Sequence, residues 1–189
     1  AKRANVSALV LTLDLPISGQ RHKDIKNGLS APPKLTLPNL MNIAGKPRWW
    51  WNMLQTRRRT LGNIVGHIDG MGDNALLSEW CARQFDPTLN WDDVRWIRGL
   101  WDGKLVLKGI QDIEDARIAA TTGADALIVS NHGGRQLDGA PSSIVALPLI
   151  AEAVGNRMEV HMDGGIRSGQ DVLKAMALGA KGTYIGRSM

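Results

Sequence analysis

The segment Ser130-Asn-His-Gly-Gly-Arg-Gln-Leu-Asp-Gly139 combines a histidine with an arginine across two glycines. It follows the apolar run 126–129, which has the length and composition of a buried strand. An imidazole can accept a proton near neutral pH, and an arginine fork can hold a carboxylate through two hydrogen bonds. His132 and Arg135 therefore predict a loop that binds an acidic substrate and removes a proton from it. A structural histidine is the alternative.

Two further charged residues lie at or just beyond the ends of apolar runs. Asp14 follows the run 8–13, and a carboxylate behind an imidazole can fix its tautomer and stabilise its charged form. A turn aspartate before Pro16 explains Asp14 equally well. Lys108 follows the run 104–107, where it could set a fixed positive charge against a cofactor or a developing anion. A solvated lysine is the alternative.

Two later loops couple glycine with arginine. They are Asp163-Gly-Gly-Ile-Arg167 and Gly186-Arg187, and each follows an apolar run. In (β/α)8 barrels, the loops after the last two strands often bind phosphate through backbone N–H groups and a helix N-terminus. The two loops in sequential order therefore predict a phosphorylated cofactor.

Short apolar runs alternate with helical patterns from about Trp91 onward. Beyond the runs already named, the sequence predicts strands at 159–162 and 182–185 and helices at 112–122, 143–153 and 168–178. Such units build a parallel sheet whose strand-to-helix loops meet at the carboxyl ends of the strands. Five strands fit an open doubly wound sheet or part of a longer barrel. We favour the barrel, because the sequence opens almost directly on one strand and stops just after another.

The alternation is lost between Gly19 and about Asn90. This segment includes Trp49-Trp50-Trp51 and Arg57-Arg58-Arg59, and residues 1–60 hold 11 Lys and Arg against 2 Asp and Glu. Connections of this length are usually functional or mobile. Tryptophan with positive charge suits an anionic bilayer surface. A solvated lid whose tryptophans pack on the barrel is the alternative.

The overall composition limits the class of protein. The 189 residues are 43% hydrophobic, enough for the core of one globular domain, and no run of eighteen apolar residues or secretory signal occurs. The single cysteine, Cys81, cannot form an internal disulfide and fits a reducing compartment. The net charge of +5 comes from the first 60 residues, so no nucleic acid partner is expected.

Taken together, these motifs resemble the FMN-dependent α-hydroxy acid oxidising family. The resemblance rests on Ser130 to Gly139, Asp163-Gly-Gly-Ile-Arg-Ser-Gly169, Lys108-Gly-Ile, Thr12-Leu-Asp14 with Arg21, and Gly186-Arg187. It extends through residues 90–189 and roughly 8–28. The segment from Phe85-Asp-Pro to Trp101-Asp-Gly looks most like the bacterial L-lactate dehydrogenases.

The resemblance implies a partial (β/α)8 TIM barrel over residues 1–189. It would cover roughly strands 4 to 8, with residues 20–90 inserted after strand 4 as a basic, tryptophan-rich loop. It implies FMN as cofactor and oxidation of an (S)-2-hydroxy acid, above all L-lactate. His132 would be the base, Asp14 would orient it, and Arg21 and Arg135 would bind the substrate carboxylate. The implied cofactor-binding residues, with no metal site, are Thr12, Lys108, Ser130, Asp163, Gly165, Arg167, Gly186 and Arg187.

The same resemblance implies a cytoplasmic enzyme, peripheral on the inner face of the cytoplasmic membrane, that passes electrons to a quinone or cytochrome. An oxygen-using oxidase is one alternative, and a non-catalytic barrel fragment with a basic loop for membrane or RNA is another. The family's first three strands supply substrate-contacting tyrosines that would precede Ala1. We therefore expect a longer native gene product that is a homo-oligomer at full length.

Overall fold

The computed structural model describes residues 1–17, 19, 21–28, 36–56, 80 and 83–188. The chain divides into two compact units. The first comprises Ala1–Gln20 and Asp86–Met189, and the second comprises Arg21–Phe85.

Strands and helices alternate through most of the first unit. The elements in chain order are β1 (Ala8–Thr12), α1 (His22–Lys26), α2 (Leu37–Ala44), α3 (Pro47–Gln55), α4 (Trp91–Leu100), β2 (Lys104–Ile110), α5 (Ile113–Ala119), β3 (Ala126–Val129), α6 (Ser143–Val154), β4 (Glu159–Asp163), α7 (Gly169–Ala177) and β5 (Gly182–Tyr184). Short 3-10 turns lie at Lys2–Ala4 and His132–Gly134.

The five described strands form one parallel sheet in the order β1-β2-β3-β4-β5. A doubly wound sheet reverses its strand order at a switch point, whereas consecutive strands of a barrel follow one another around the ring. No reversal occurs among these strands. The sheet is therefore consistent with part of a (β/α)8 barrel, as the sequence predicts.

The strand β2 is longer than the sequence pattern predicts. We expected it to end at Leu107, with Lys108 just beyond it, but the strand continues to Ile110. Lys108 pairs with Thr12 on one side and Ile128 on the other, and the pairing with β3 resumes at Ile110 after an irregularity. A bulge at Gly109 therefore replaces the predicted strand end.

The core lies between the sheet and its helices. Alternate strand residues, including Leu105, Leu107, Leu127 and Val160, are at most 1% exposed on the helix side. Burying a side chain of this size contributes about 1.5–3 kcal/mol. The opposite face carries a separate small cluster of Val106, Ala126 and Ile128. This period of two is what a sheet covered by helices on one face requires.

The helix α7 begins with a reciprocal cap that shapes the preceding loop. Ser168 Oγ accepts from the Asp171 backbone N–H, while the Asp171 carboxylate accepts from Ser168 Oγ–H and the Arg167 backbone N–H. These hydrogen bonds hold the pKa of Asp171 below its usual range, the Ser168 hydroxyl contributing most. The cap fixes where the Asp163 to Arg167 loop enters the helix.

The second unit contains helices that the sequence pattern did not predict. The expected irregular connection holds α2, whose N-cap Thr36 accepts from the Asn39 backbone N–H, and α3, which begins with Pro47. Proline at the first helical positions costs no hydrogen bond, so it starts a helix here. The Trp49-Trp50-Trp51 triplet lies on α3. Arg57, Arg58, Arg59 and Cys81 lie outside the described residues.

The three tryptophans of α3 have large exposed fractions. Trp49, Trp50 and Trp51 are 48%, 47% and 63% exposed. Trp50 donates its indole N–H to the carbonyl of Ile43 at 3.1 Å, which ties α3 to α2. No helix in the described part of the chain is long and apolar enough to cross a membrane.

At the amino end of the sheet, Asp125 joins β2 to the start of β3. Its carboxylate accepts from the Leu105 backbone N–H at 3.0 Å, from Arg98 at 3.3 Å and from Lys104 at 2.6 Å. Partial burial opposes ionisation of Asp125. The hydrogen bonds from Lys104 and Leu105 and the nearby charges outweigh that effect and lower the pKa of Asp125.

The replacement Asp125→Ala is expected to lower the free energy of unfolding by about 2 kcal/mol at pH 7, because the Leu105 N–H and the Arg98 guanidinium lose their acceptor. Because the pKa of Asp125 is lower in the folded state than in the unfolded state, where it is about 3.9, the ionised carboxylate stabilises the fold above that pH. This contribution is lost as the pH falls through the folded-state pKa. Urea unfolding should therefore show a parent–variant difference that narrows below about pH 4. Equal stability at pH 7 would contradict this account.

Candidate active site

The bulge in β2 brings Asp14 close to the sheet. Gly109 has φ +105°, and a Cβ at this position would lie 2.7 Å from both Cβ and Cγ of Asp14. The Leu13 backbone N–H donates to the Lys108 carbonyl at 2.8 Å, which fixes the chain just before Asp14. Glycine is thus required at position 109 both for its backbone conformation and for the close approach of Asp14.

The loop after β3 turns sharply at His132. This residue has φ +54°, an uncommon conformation for a residue other than glycine. Its backbone N–H donates to Ser130 Oγ at 3.1 Å, and Asn131 Oδ1 accepts from the Gly134 N–H at 3.3 Å. Strained backbone held by such bonds is frequent at functional sites, and here it aims the imidazole.

The imidazole of His132 is held by Asp14. Nδ1 lies 3.2 Å from each carboxylate oxygen of Asp14. The His132 side chain is 29% exposed and that of Asp14 is 14% exposed, so the carboxylate is the more deeply buried partner. An acceptor at Nδ1 fixes the tautomer with its proton on Nδ1. Nε2 is then left to accept a proton from a ligand in the cleft that His132 lines.

A second polar group forms around Lys108. Its Nζ donates to Ser130 Oγ at 2.9 Å and lies 3.1 Å from Asp163 Oδ2. The other carboxylate oxygen, Asp163 Oδ1, is buried and has no hydrogen-bond partner among the described residues. A buried acceptor of this kind is costly unless a ligand or water donates to it. Asp163 is therefore suited to accept a hydroxyl hydrogen bond.

A cleft of about 790 Å³ opens at the carboxyl ends of the strands. Its described lining residues come from β2, from the ends of β4 and β5 and from the loops after β3, β4 and β5: Lys108, His132, Gly133, Arg135, Asp163, Gly164, Gly165, Ile166, Arg167, Tyr184, Gly186, Arg187 and Ser188. The volume is within the range of small-molecule sites, about 300–1,000 Å³.

The described lining of the cleft is predominantly cationic. Lys108, Arg135, Arg167 and Arg187 contribute permanent positive charges, against the single carboxylate of Asp163. Arg187 also donates to the Gly133 carbonyl at 3.4 Å, which connects the loop after β5 to the loop after β3. A cleft with this charge attracts anions such as phosphate or carboxylate.

Room for such an anion exists beside two glycines. A Cβ at Gly165 or at Gly186 would meet nothing within 4 Å. Gly165 also has φ +80°, which a larger residue would adopt only with strain. Backbone N–H groups at these positions can approach a ligand closely.

Most predicted site residues come together in this cleft or support it, although their individual roles stay predictions. Ser130 is 1% exposed and lies beneath the cleft, where its hydroxyl contacts Lys108 and His132. Thr12 pairs with Lys108 in the sheet and is not among the described lining residues. Arg21 precedes α1 in the second unit.

The contributions of Gly109, Asn131 and Tyr184 to the site were not predicted from the sequence. The glycine after Lys108 was visible, but its bulge depends on the approach of Asp14 from a distant part of the chain. Asn131 acts through its side-chain cap on Gly134. Tyr184 lines the cleft. Residues 182 and 184 of β5 lie on the same face of the strand, and this period of two was the sequence signal that could have placed Tyr184 there.

The parallel sheet, the glycine and arginine loops and the carboxylate-held histidine define a class: barrel-type α/β proteins with a cationic cleft at the carboxyl ends of the strands. The comparison with known families is specific. The sequence model of the FMN-dependent dehydrogenase family matches residues 1–189, and the chain belongs to this family.

Known L-lactate dehydrogenases are similar over the whole chain. The L-lactate dehydrogenase of Caulobacter sp. (strain K31) is 47% identical over 192 residues, which cover 100% of this chain and 50% of that protein. The L-lactate dehydrogenase of Pseudomonas syringae pv. syringae (strain B728a) is 46% identical over 194 residues, again covering 100% and 50%. The chain thus spans about half the length of the curated relatives it matches.

Solved structures give the same result for the fold. The crystal structure of the monotopic membrane protein (S)-mandelate dehydrogenase matches with a TM-score of 0.89 and 35% identity, covering 100% of this chain and 49% of that one. The crystal structure of mandelate oxidase matches with a TM-score of 0.72 and 38% identity, covering 45% of that chain.

The residues of the cleft fit FMN, the cofactor on which the family depends. Asp163 Oδ1 is an unsatisfied buried acceptor where a hydroxyl of the cofactor could donate. Arg167, Arg187 and the space beside Gly165 and Gly186 suit a phosphate. The volume and charge of the cleft agree with this chemistry.

Proposed function

We propose that the chain forms the catalytic half of an FMN-dependent dehydrogenase that oxidises an (S)-2-hydroxy acid, above all L-lactate, to the 2-keto acid. The observation that carries the proposal is the His132–Asp14 pair, with Nδ1 held at 3.2 Å and the imidazole facing a cationic cleft. The identity of 46–47% with L-lactate dehydrogenases supports L-lactate as the substrate.

Substrate binding and proton removal fall to different residues. Arg135 lines the cleft beside His132 and would hold the substrate carboxylate, with Arg21 as a second proposed ligand. His132 Nε2 would accept the proton, either from C2 or from the hydroxyl. Asp14 would hold the proton of the neutral imidazole on Nδ1, which leaves the lone pair on Nε2, and would stabilise the imidazolium afterwards.

The cofactor-binding residues would supply fixed charge. FMN, when bound, would accept the two electrons that the substrate loses. Lys108 would place a positive charge beside the flavin ring, where negative charge develops on reduction. Its contacts with Ser130 and Asp163 hold the ammonium group in place. Asp163, Gly165, Arg167, Gly186 and Arg187 would hold the ribityl phosphate end, while Thr12 and Ser130 would support the ring.

We further propose that β1 to β5 are strands 4 to 8 of a complete (β/α)8 barrel, with residues 20–90 inserted after strand 4. The sequential parallel order of the five strands supports this assignment. So does the full coverage of the chain by about half of (S)-mandelate dehydrogenase. Loops after strands 7 and 8 then form the phosphate end, as is frequent in such barrels.

Electron transfer to a membrane quinone or cytochrome follows as part of the proposal. It is supported by the similarity to a monotopic membrane protein and by the exposed tryptophans of α3. The enzyme would then lie on the inner face of the cytoplasmic membrane, as a homo-oligomer. Transfer to oxygen is the second candidate, because mandelate oxidase is 38% identical. Hydrogen peroxide formation in air distinguishes the two acceptors.

The function is tested by adding L-lactate, glycolate or (S)-mandelate anaerobically to the FMN-loaded protein that contains this chain. We expect loss of the oxidised flavin absorption with a stoichiometric amount of keto acid. D-lactate is the matched control and should leave the spectrum unchanged. Bound FMN that none of the three acids reduces would overturn the proposed activity.

The membrane proposal predicts that the double variant Trp49→Ser/Trp51→Ser binds anionic liposomes at least about tenfold more weakly, because each large apolar side chain contributes about 1.5–3 kcal/mol on burial. Co-sedimentation measures the binding. Trp96→Ser is the matched control, because Trp96 is 65% exposed but belongs to the first unit. Equal losses in both variants, or binding that ignores anionic lipid and salt, would refute a specific role for α3.

A further inference from the structure

Three polar side chains form a hydrogen-bonded chain on the sheet face that carries the small apolar cluster. His161 Nδ1 lies 3.0 Å from the Tyr184 hydroxyl, and His161 Nε2 lies 3.0 Å from Glu159 Oε2. The imidazole and phenol rings stack with centroids 5.7 Å apart and an interplanar angle of 30°. This group is separate from the His132–Asp14 pair.

Each contact in the chain constrains the next one. The Glu159 carboxylate can only accept, so neutral His161 carries its proton on Nε2. Nδ1 then accepts from the Tyr184 O–H. The imidazole is 17% exposed, whereas Glu159 is 67% exposed, so the carboxylate end of the chain reaches solvent. The Tyr184 hydroxyl is therefore hydrogen-bonded to His161, and this bond fixes the position of the Tyr184 ring.

Gly182 creates the space for this arrangement. A Cβ at position 182 would lie 3.3 Å from both Cε1 and Nδ1 of His161, closer than most real contacts. Gly182 pairs with His161 in the sheet, and Tyr184 pairs with Asp163. The absence of a side chain at 182 lets the imidazole lie over β5 and reach the residue beside Asp163.

Such a polar chain is unusual for this location. Inward positions of a (β/α)8 barrel are mostly bulky branched residues, as Val106 and Ile128 are here. A largely buried histidine at such a position costs free energy unless its ring nitrogens are hydrogen-bonded, and Glu159 and Tyr184 provide those hydrogen bonds to His161. What they hold is Tyr184, which lines the cleft with Lys108 and Asp163.

We propose that Tyr184 forms part of the cofactor-binding surface, and that Glu159 and His161 are positioning residues that hold its ring against the wall of the cleft. This inference rests on the proposed FMN-dependent function. Because its hydroxyl is engaged by His161, Tyr184 offers the cleft an aromatic surface instead of a polar group. A ring held in advance loses less side-chain entropy when the cofactor binds.

The test is a fluorescence titration of the apoprotein of the intact enzyme with FMN. Tyr184→Phe and His161→Leu should each raise the Kd about fivefold, since each removes the same hydrogen bond. The double variant should also show about a fivefold increase, not the product of the two. Tyr184→Leu should weaken binding further because the ring itself is lost.

Two variants separate positioning from general disruption. Glu159→Gln keeps an acceptor for His161 Nε2 and should retain the parental Kd, whereas Glu159→Leu should weaken binding. Thr183→Val is the control on the opposite face of β5 and should leave the Kd unchanged. A parent that does not bind FMN would overturn the proposed function and this inference with it. A parent that binds FMN, with Tyr184→Phe and His161→Leu unchanged or independently additive, would overturn this inference alone.

Discussion

The variant His132→Gln is expected to reduce flavin with L-lactate about 10²–10⁴-fold more slowly than the parent, the range typical of a lost general base. Glutamine approximates the reach of imidazole and can still hydrogen-bond to Asp14, but it cannot accept the proton. Since Nδ1 of His132 is occupied by Asp14 and His132 lines the cleft, the lost group is the basic Nε2. Anaerobic stopped-flow spectroscopy measures the rate of flavin bleaching directly.

The control for this variant is His22→Gln, the same replacement at an exposed histidine of α1. It should reduce flavin at the parental rate. FMN content should also be unchanged in His132→Gln, because Lys108 and the loops after β4 and β5, which are proposed to hold the phosphate, are untouched. A His132→Gln enzyme that keeps FMN and reduces it within about tenfold of the parent would exclude His132 as the base.

The sheet was predictable because each of its strands is indicated by a short apolar run in the sequence. The segment 126–129 is a strand over the predicted residues. Its four consecutive apolar residues are all buried, because a strand in a parallel sheet can be covered on both of its faces. Gly179 directly follows the C-cap Leu178 and marks where α7 ends, whereas α5 ends at Ala119, before the predicted end at 122. Parallel topology then places the polar loops at one edge without further information.

The His132–Asp14 pair was only partly predictable. Each residue follows a strand, and parallel strands gather such residues at one end. The contact itself depends on the bulge at Gly109, where three parts of the chain meet. The residue pattern of one strand cannot predict this contact, because it depends on the space that Asp14 needs beside Gly109 of a different strand.

The insertion was harder to predict for a different reason. The segments that form α2 and α3 are short and amphipathic, and prolines stand where helices begin, so the segment reads as irregular. Proline in the first turn is compatible with a helix, and the Thr36 cap was the available signal. The roles of Arg21 and of residues 20–90 stay predictions.

The variant Asp14→Asn tests the other half of the pair and is expected to slow flavin reduction by up to about 10⁴-fold. An asparagine amide can donate to Nδ1, which would place the imidazole proton on Nε2, the nitrogen that must accept. The shape of the site is conserved, so FMN binding should be retained. Asp138→Asn is the matched control, because Asp138 lies exposed in the same loop as His132 and should have the parental rate.

The double variant Asp14→Asn/His132→Gln makes the assignment specific. If Asp14 acts only through the imidazole, its loss adds nothing once His132 is gone, and the double variant reduces flavin at the rate of His132→Gln alone. If Asp14 instead stabilised the fold or bound substrate, the two effects would multiply. Because the carboxylate contacts Nδ1 through both oxygens at 3.2 Å, we expect the first result.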